Sequence, residues 1–274
     1  MGKTKFEHTL PPSPFTNAAT DALRRFAAQS PDAQTLNAAF RLLAKWRAEL
    51  LANTIAQRSG TKVLTGPFAG MDYGLAASEG SRSARLLGCY EHSLAPVIEE
   101  IIARAYPLVI DIGSAEGYYA VGLARRMPKT RVLARDASDK AMALCRALAA
   151  ANGVADRVEV GGLFHHADFA ICTGQPTLVL CDIEAAELDL LDPAAAPGLL
   201  HADILVECHD SLRPGITESL ANRFASSHQV QRIGRALDAK ALPEWMEELS
   251  DLDRLIALWE WRAGPTPWLW MRHK

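Results

Sequence analysis

Four short stretches carry residues whose types and spacing could do chemistry. In the first, Asp111-Ile-Gly113-Ser114-Ala-Glu116-Gly117-Tyr-Tyr, an acid ends an apolar run and glycines follow it two and six residues on. This reads as a strand-to-helix turn: glycine admits a ligand where a Cβ would collide, and the helix that follows begins with unpaired N–H groups. The second is Asp136-Ala137, at the end of the next apolar run, where a carboxylate with two acceptor oxygens suits the two hydroxyls of a ribose. The third and fourth are Asp182-Ile-Glu184-Ala-Ala-Glu187 and Glu207-Cys-His209-Asp210. They bring carboxylates and one imidazole to the ends of two further apolar runs. His209, with an ordinary pKa nearest neutrality, is the preferred general base, and Asp182 and Glu184 stand with it as catalytic candidates. Asp182, Glu184, Glu207, His209 and Asp210 are the corresponding oxygen and imidazole ligands, Asp182, Glu207 and Asp210 foremost, if a divalent ion such as Mg²⁺ acidifies a hydroxyl instead. A plainer role suits some of the same residues: His209 and Asp210 as caps of the loop before Pro214, and Glu187 as a first-turn helix acid.

To bring these stretches together, the chain must supply strands whose ends share one edge. From position 108 onward, short apolar runs alternate with amphipathic stretches, the rhythm of a parallel sheet covered on both faces. Strands are predicted at 108–112, 131–135, 158–160, 177–181, 204–208, 229–233 and 268–272, and helices at 118–126, 139–152, near 166–172, from 186, at 216–226 and at 243–261. Gly264-Pro-Thr-Pro267 is too short for a crossover helix, so the last strand is expected to run antiparallel. The fold class is therefore α/β, a doubly wound and mostly parallel seven-stranded sheet. Before it, helical spacing covers 17–29, 33–58 and 90–106, and Gly and Pro among β-formers at 61–73 predict a short hairpin or extended arm. The expected organisation is an N-terminal helical cap region, 1–105, followed by a catalytic domain, 106–274.

The 274 residues and an apolar fraction of 49% are ample for a buried core. A net charge of −3 offers no general attraction to nucleic acid or anionic lipid, so neither is an expected partner. The opening Met-Gly-Lys-Thr-Lys-Phe-Glu-His has no apolar signal core, and a cytoplasmic location is expected. The five cysteines form no CxxC pair and read as reduced core thiols. Trp268 and Trp270 alternate onto one face of the last strand, for core or homodimer packing. Leu163 and His165-His166 follow the third strand, where adenine contacts arise, although exposed loop residues are the simpler reading of the histidines. Gly88-Cys-Tyr90-Glu91-His92 either closes over a bound molecule or starts a helix, with Glu91 complementing its dipole.

A glycine turn followed by a ribose acid also fits a nicotinamide or flavin site. Two features separate the possibilities. The GxGxxG fingerprint is missing, since Ala115 and Tyr118 occupy its second and third glycine positions. Asp111 would repel a pyrophosphate, whereas it suits the ammonium of a methionine tail. Asp111 to Tyr119, Asp136, Leu178 to Glu187 and Ile204 to Asp210 together resemble class I methyltransferases of the FkbM type. The likeness spans a little over a third of the chain, and its four motifs occur in order. It implies a Rossmann-like fold, S-adenosylmethionine held by Asp111, Gly113, Ser114, Glu116, Gly117, Asp136, Ala137, Leu163 and Asp182, and O-methylation of a small-molecule hydroxyl, often of a sugar or natural product. Two departures stand out: Ala185 occupies a usual glycine, and Asp136 stands where Glu is frequent. An NAD-dependent oxidoreductase and a non-catalytic cofactor-binding protein remain the alternatives.

Overall fold

The computed structural model describes residues 13–29, 32–74, 80–262 and 264–274. The opening Met-Gly-Lys-Thr-Lys-Phe-Glu-His lies outside the described residues. Two helices come first, α1 (Pro14–Ala27) and α2 (Ala33–Ser59), each started by a side chain that accepts a first-turn N–H. Ser13 takes that of Thr16, and Asp32 that of Thr35. Gly60, at φ +84°, ends α2. The 61–73 arm has hairpin-like hydrogen bonds but only one bridge, Lys62 to Asp72, among the described residues.

Next comes a buried helix that the periodicity missed, α3 (Arg82–Leu87). Its six residues are too few to show a repeat. The helix expected over 90–106 is shorter, α4 (Ala95–Arg104), because Glu91 at φ +50° breaks the backbone ahead of a 3₁₀ turn at 92–94.

The sheet follows: β1 (Leu108–Ile112), β2 (Arg131–Arg135), β3 (Val158–Gly161), β4 (Thr177–Cys181), β5 (Ala202–Glu207), β6 (His228–Ile233) and β7 (Trp268–His273). Its order is β3-β2-β1-β4-β5-β7-β6, with β7 antiparallel between β5 and β6 and the pairs from β3 to β5 parallel. This is the Rossmann-like methyltransferase sheet expected from the sequence, closing strand included. β1, β4 and β5 are buried along their whole length, as strands covered on both faces must be.

Period-two alternation divides the strand side chains between two cores. Val109, Leu178, Leu205, Trp268 and Trp270 face one, shared with α2, α3, α4, α5 (Tyr118–Arg126) and α6 (Asp139–Ala151). Ile110, Val179, Ile204 and Leu269 face the other, with α8 (Ile216–Phe224).

Two helices are cut short relative to expectation. α7 (Glu187–Leu190) lasts one turn, because Asp192 precedes Pro193 and the residue before proline avoids helical backbone. The 243–261 helix divides into a 3₁₀ turn at 244–248 and α9 (Asp251–Ala257), where extended Leu249 and the capping Ser250 restart the chain. Arg47 of α2 holds Asp253 of α9 through two hydrogen bonds of 2.6 and 2.7 Å. No helix among the described residues is long and apolar enough to cross a membrane.

Candidate functional site

The strand order reverses direction between β1 and β4, and ligand crevices of open α/β sheets lie beyond the strand ends at such a point. Two clefts open there. One, of about 500 Å³, is lined by Gly113, Asp136, Ala137, Leu163, Phe164 and Ile183 among others. The second, of about 370 Å³, is lined among others by Arg85, Tyr90, Asp182, Glu207, His209 and Arg262. The segment 182–186 belongs to both, with Asp182 and Glu184 on one side and Ile183 and Ala186 on the other.

The glycine turn corrects one expectation. Gly113 and Gly117 have φ of +83° and +91°, but the space a Cβ would fill is occupied by protein. At Gly113 it would lie 1.6 Å from the Asp182 carbonyl oxygen, and at Gly117 2.6 Å from Cys145 Sγ. Both are therefore required by the turn and by the close approach of β4 and α6, whatever binds on the open side. The turn closes through the Gly117 N–H, which donates to the Ser114 carbonyl at 2.7 Å, and the N–H groups of Gly113 and Ser114 donate to the Arg135 carbonyl.

Two polar atoms on this turn lack hydrogen-bond partners although they are buried: Asp111 Oδ2 and Ser114 Oγ. Asp111 is 1% exposed, and its pKa is pushed up to about 8 by burial first and then by Asp182 and Asp136. A buried, unsatisfied carboxylate is costly unless a donor or cation meets it. Asp136 accepts from the Ala115 N–H through one oxygen (2.9 Å) and from the Ser138 N–H through the other (2.7 Å), which fixes its carboxylate at the cleft wall. Each oxygen keeps a further lone pair for a hydroxyl donor. An ammonium at Asp111 and a ribose at Asp136 therefore fit these residues.

Glu116, expected among the cofactor contacts, is fully buried instead. It accepts from the Tyr73 hydroxyl and pairs with Arg85 at 3.1 Å. Arg85 lies 4.2 Å from the Tyr90 ring centre and donates to the Gly80 carbonyl at 2.7 Å. Neither Tyr73 nor Arg85 stands in a motif visible along the chain.

His209 occupies the centre of the second cleft's acidic wall and is 5% exposed. Its Nδ1 is 2.8 Å from Glu187 Oε1, and its Nε2 lies 3.5 Å from Glu184, 3.6 Å from Asp182 and 3.9 Å from Glu207. Burial acts against the imidazolium, but the Glu187 hydrogen bond and the charges of Asp182, Glu187 and Glu184 outweigh it and raise the pKa. His209 consequently holds its proton more firmly than an ordinary histidine. Glu187 begins α7, as a first-turn acid would, and the same oxygen also accepts from the N–H groups of Ile183 and Ala185. Burial tends to raise its pKa, yet the His209 and backbone hydrogen bonds hold it below the usual carboxylate value.

The structure also rearranges the candidate ion ligands. Asp210 caps α8, accepting from the N–H groups of Gly215 and Thr217 and from the Thr217 hydroxyl, so its carboxylate is engaged there. Glu207 is paired with Arg262. Among the described residues, the group whose donor atoms approach closely enough to share an ion is Asp182, Glu187 and His209. Arg262, which sequence reasoning passed over, also pairs with Glu91 and Glu260, the latter pushed up to about 7, with burial the largest cause. Glu91, expected as a helix-dipole partner, is instead a buried anchor that also accepts from the Tyr119 hydroxyl. His165 and His166 line the first cleft, where the His166 ring nitrogen bonds to the Asp189 carbonyl at 3.0 Å.

No protein-family model and no curated protein matches this chain. Solved structures similar to it include an O-methyltransferase from Bacillus cereus in complex with SAH, at 13% identity over 94% of this chain and 99% of that one, TM-score 0.43. The O-methyltransferase TomG from Streptomyces achromogenes, involved in tomaymycin synthesis and in complex with SAM, is 12% identical over 93% of this chain and 96% of that one, TM-score 0.45. Cofactor-bound Rv0187 from MTB is 16% identical over 97% and 100%, TM-score 0.43.

Ala185 carries the strain expected where glycine is usual. Its φ is +81°, following Glu184 at +53°, a conformation that costs a residue with a Cβ about 1–2 kcal/mol. Replacing Ala185 with Gly should raise unfolding stability by up to about 1 kcal/mol in urea titrations, after the entropic cost of glycine. A loss of stability would show that the Cβ contributes packing that outweighs the strain.

Proposed function

We propose that this chain is an S-adenosylmethionine-dependent methyltransferase of the FkbM type that methylates a hydroxyl of a small molecule. The observation that carries the reading is the buried, unbonded Asp111 Oδ2 near the end of β1, ahead of a turn whose Ala115 N–H is bound by Asp136. When bound, the cofactor supplies an electrophilic methyl group for in-line displacement. Asp111 holds the ammonium of the amino-acid tail, and Asp136 accepts from the ribose hydroxyls. Ala137, Leu163 and Phe164 form the wall against which adenine is covered.

The acceptor enters the cleft lined by Asp182, Glu184 and His209, where its hydroxyl must lose a proton as the new bond forms. His209 takes that proton at Nε2, with Glu187 fixing the ring through Nδ1. Asp182 and Glu184 stabilise the imidazolium that results. A divalent cation such as Mg²⁺ is the second reading, favoured by the convergence of Asp182, Glu187 and His209 and by the buried, unbonded Glu187 Oε2.

The test is transfer of a labelled methyl group from S-adenosylmethionine into fractions of cell extract, with and without EDTA, alongside thermal shifts with S-adenosylhomocysteine and NAD. Labelled product and a shift by S-adenosylhomocysteine are expected, with EDTA sensitivity only if the ion takes part. Stabilisation by NAD alone would overturn the reading in favour of an oxidoreductase, and binding without transfer would leave a non-catalytic cofactor-binding protein.

A further inference from the structure

Three permanent cations line the acceptor-side cleft: Lys45, Arg85 and Arg262. Two are committed to the protein. Arg262 is paired with Glu91, Glu207 and Glu260, and Arg85 with the buried Glu116. Lys45, from α2, is exposed, and no carboxylate of the described residues stands within ion-pair distance of it. It meets the face of Trp261 instead, with 4.7 Å from its ammonium to the ring centre. A ring face attracts a cation without neutralising it, so the charge and its donors stay open to a further partner. The acids of the cleft differ in this respect, since His209 and Arg262 stand among Asp182, Glu184 and Glu207 and answer part of their charge.

Trp261 lies in the stretch after α9 and lines the same cleft as His209. Its φ is +64°, a left-handed backbone that a bulky side chain rarely adopts, and its indole N–H is buried without an acceptor among the described residues. Gly80 makes room for the ring, because a Cβ there would come within 2.4 Å of it. Both costs fall on a half-buried side chain at a cleft wall, where packing returns less than in the core. Strain of this kind collects at ligand clamps, and here it sets a ring face beneath the unpaired ammonium.

We infer that Lys45, supported on Trp261, binds an acidic group of the methyl acceptor, so that the acceptor is a small molecule carrying a carboxylate or phosphate besides the hydroxyl brought to His209. This deepens the methyltransferase reading and rests on it. An ammonium is a compact point charge with three donors, which suits either oxyanion without the geometric selectivity of a guanidinium fork. The segment before the sheet then supplies a residue that decides which hydroxyl compounds are accepted. Trp261 is a positioning residue that acts through Lys45.

The test uses S-adenosylmethionine with a labelled methyl group and the small molecules of cell extract, divided on an anion-exchange resin into a retained and an unretained fraction. The native chain should place label mainly in the retained, acidic fraction. Lys45→Met should lower that transfer about 10-fold in dilute extract and less in concentrated extract, the pattern of a lost binding contact. Its affinity for S-adenosylhomocysteine by calorimetry should match the native one, which also shows that the variant folds. Lys45→Arg should keep transfer within about 3-fold because the charge remains. Trp261→Phe, which keeps a ring face under the ammonium, should do the same where Trp261→Leu does not. Phosphatase treatment of the retained fraction separates the two oxyanions: transfer lost identifies a phosphate, and transfer kept a carboxylate. Label in the unretained fraction, label in neither fraction, or native transfer by Lys45→Met would each refute the assignment. A native chain that fails to bind S-adenosylhomocysteine at all would instead end the methyltransferase reading.

Discussion

Asp111→Asn should weaken S-adenosylhomocysteine binding by on the order of 100-fold while leaving the protein at least as stable as before. The two effects have opposite signs for one reason. Asp111 is buried without a donor on Oδ2, so its charge is a liability in the ligand-free chain and an asset only when an ammonium arrives. Methylthioadenosine, which lacks the tail, should bind native and variant chains alike. The pH dependence follows from a folded pKa of about 8 against an ordinary value of 3.8. Between these values the folded chain holds a proton that the unfolded chain has released, so the Asp111 contribution to stability declines as pH rises from about 4 to about 8. Affinity for the ammonium rises over the upper part of that window as the carboxylate ionises. Both trends should be flattened in Asp111→Asn, and a thermal midpoint roughly 5 °C higher near pH 8 is expected for the variant. Calorimetry and thermal melts between pH 5 and 9 measure both. A variant that binds the tail as well as the native chain would remove Asp111 from the site.

The second large effect is expected at His209. Its replacement by Ala should lower turnover about 10³-fold, the usual size of a general-base contribution. It should also destabilise the chain by about 3 kcal/mol near neutral pH, because Glu187 and its acidic neighbours lose the imidazolium among them. The raised folded pKa sets the direction. The stabilisation is fully present below the ordinary histidine value of 6.5 and disappears as pH rises through the folded pKa, so the deficit of the variant should shrink in alkaline buffer. Native kcat/KM should increase with pH over the same range as His209 becomes able to accept a proton. Loss of stability without loss of turnover would make His209 a structural counter-ion, and the base would lie elsewhere.

Much of this was legible along the chain, for identifiable reasons. Buried parallel strands announce themselves as apolar runs, and Gly264-Pro-Thr-Pro267 is too short to permit a parallel return, so the sheet and its antiparallel β7 followed from local pattern. Strand ends also gather at one edge of such a sheet, which is why the sequence alone groups Asp111, Asp136, Asp182 and His209. Less visible were contacts made across long separations. Arg85 reaches Glu116 and Arg262 reaches Glu91, with no spacing rule linking either pair. The glycines show a subtler limit. Their positive φ was predictable, but the atoms crowding them, the Asp182 carbonyl and Cys145 Sγ, come from other elements. Asp210 and Glu207 misled as ion ligands because an acid at a strand end looks the same whether it faces a cation, a helix N-terminus or a buried arginine.

The most direct test of the site is a crystal structure of the chain with S-adenosylhomocysteine. The amino group should lie within hydrogen-bonding distance of Asp111 Oδ2, and the ribose hydroxyls should meet Asp136 beside Ala137 and Leu163. A molecule bound elsewhere, or a crevice between β1 and β4 left empty at saturating ligand, would contradict the assignment.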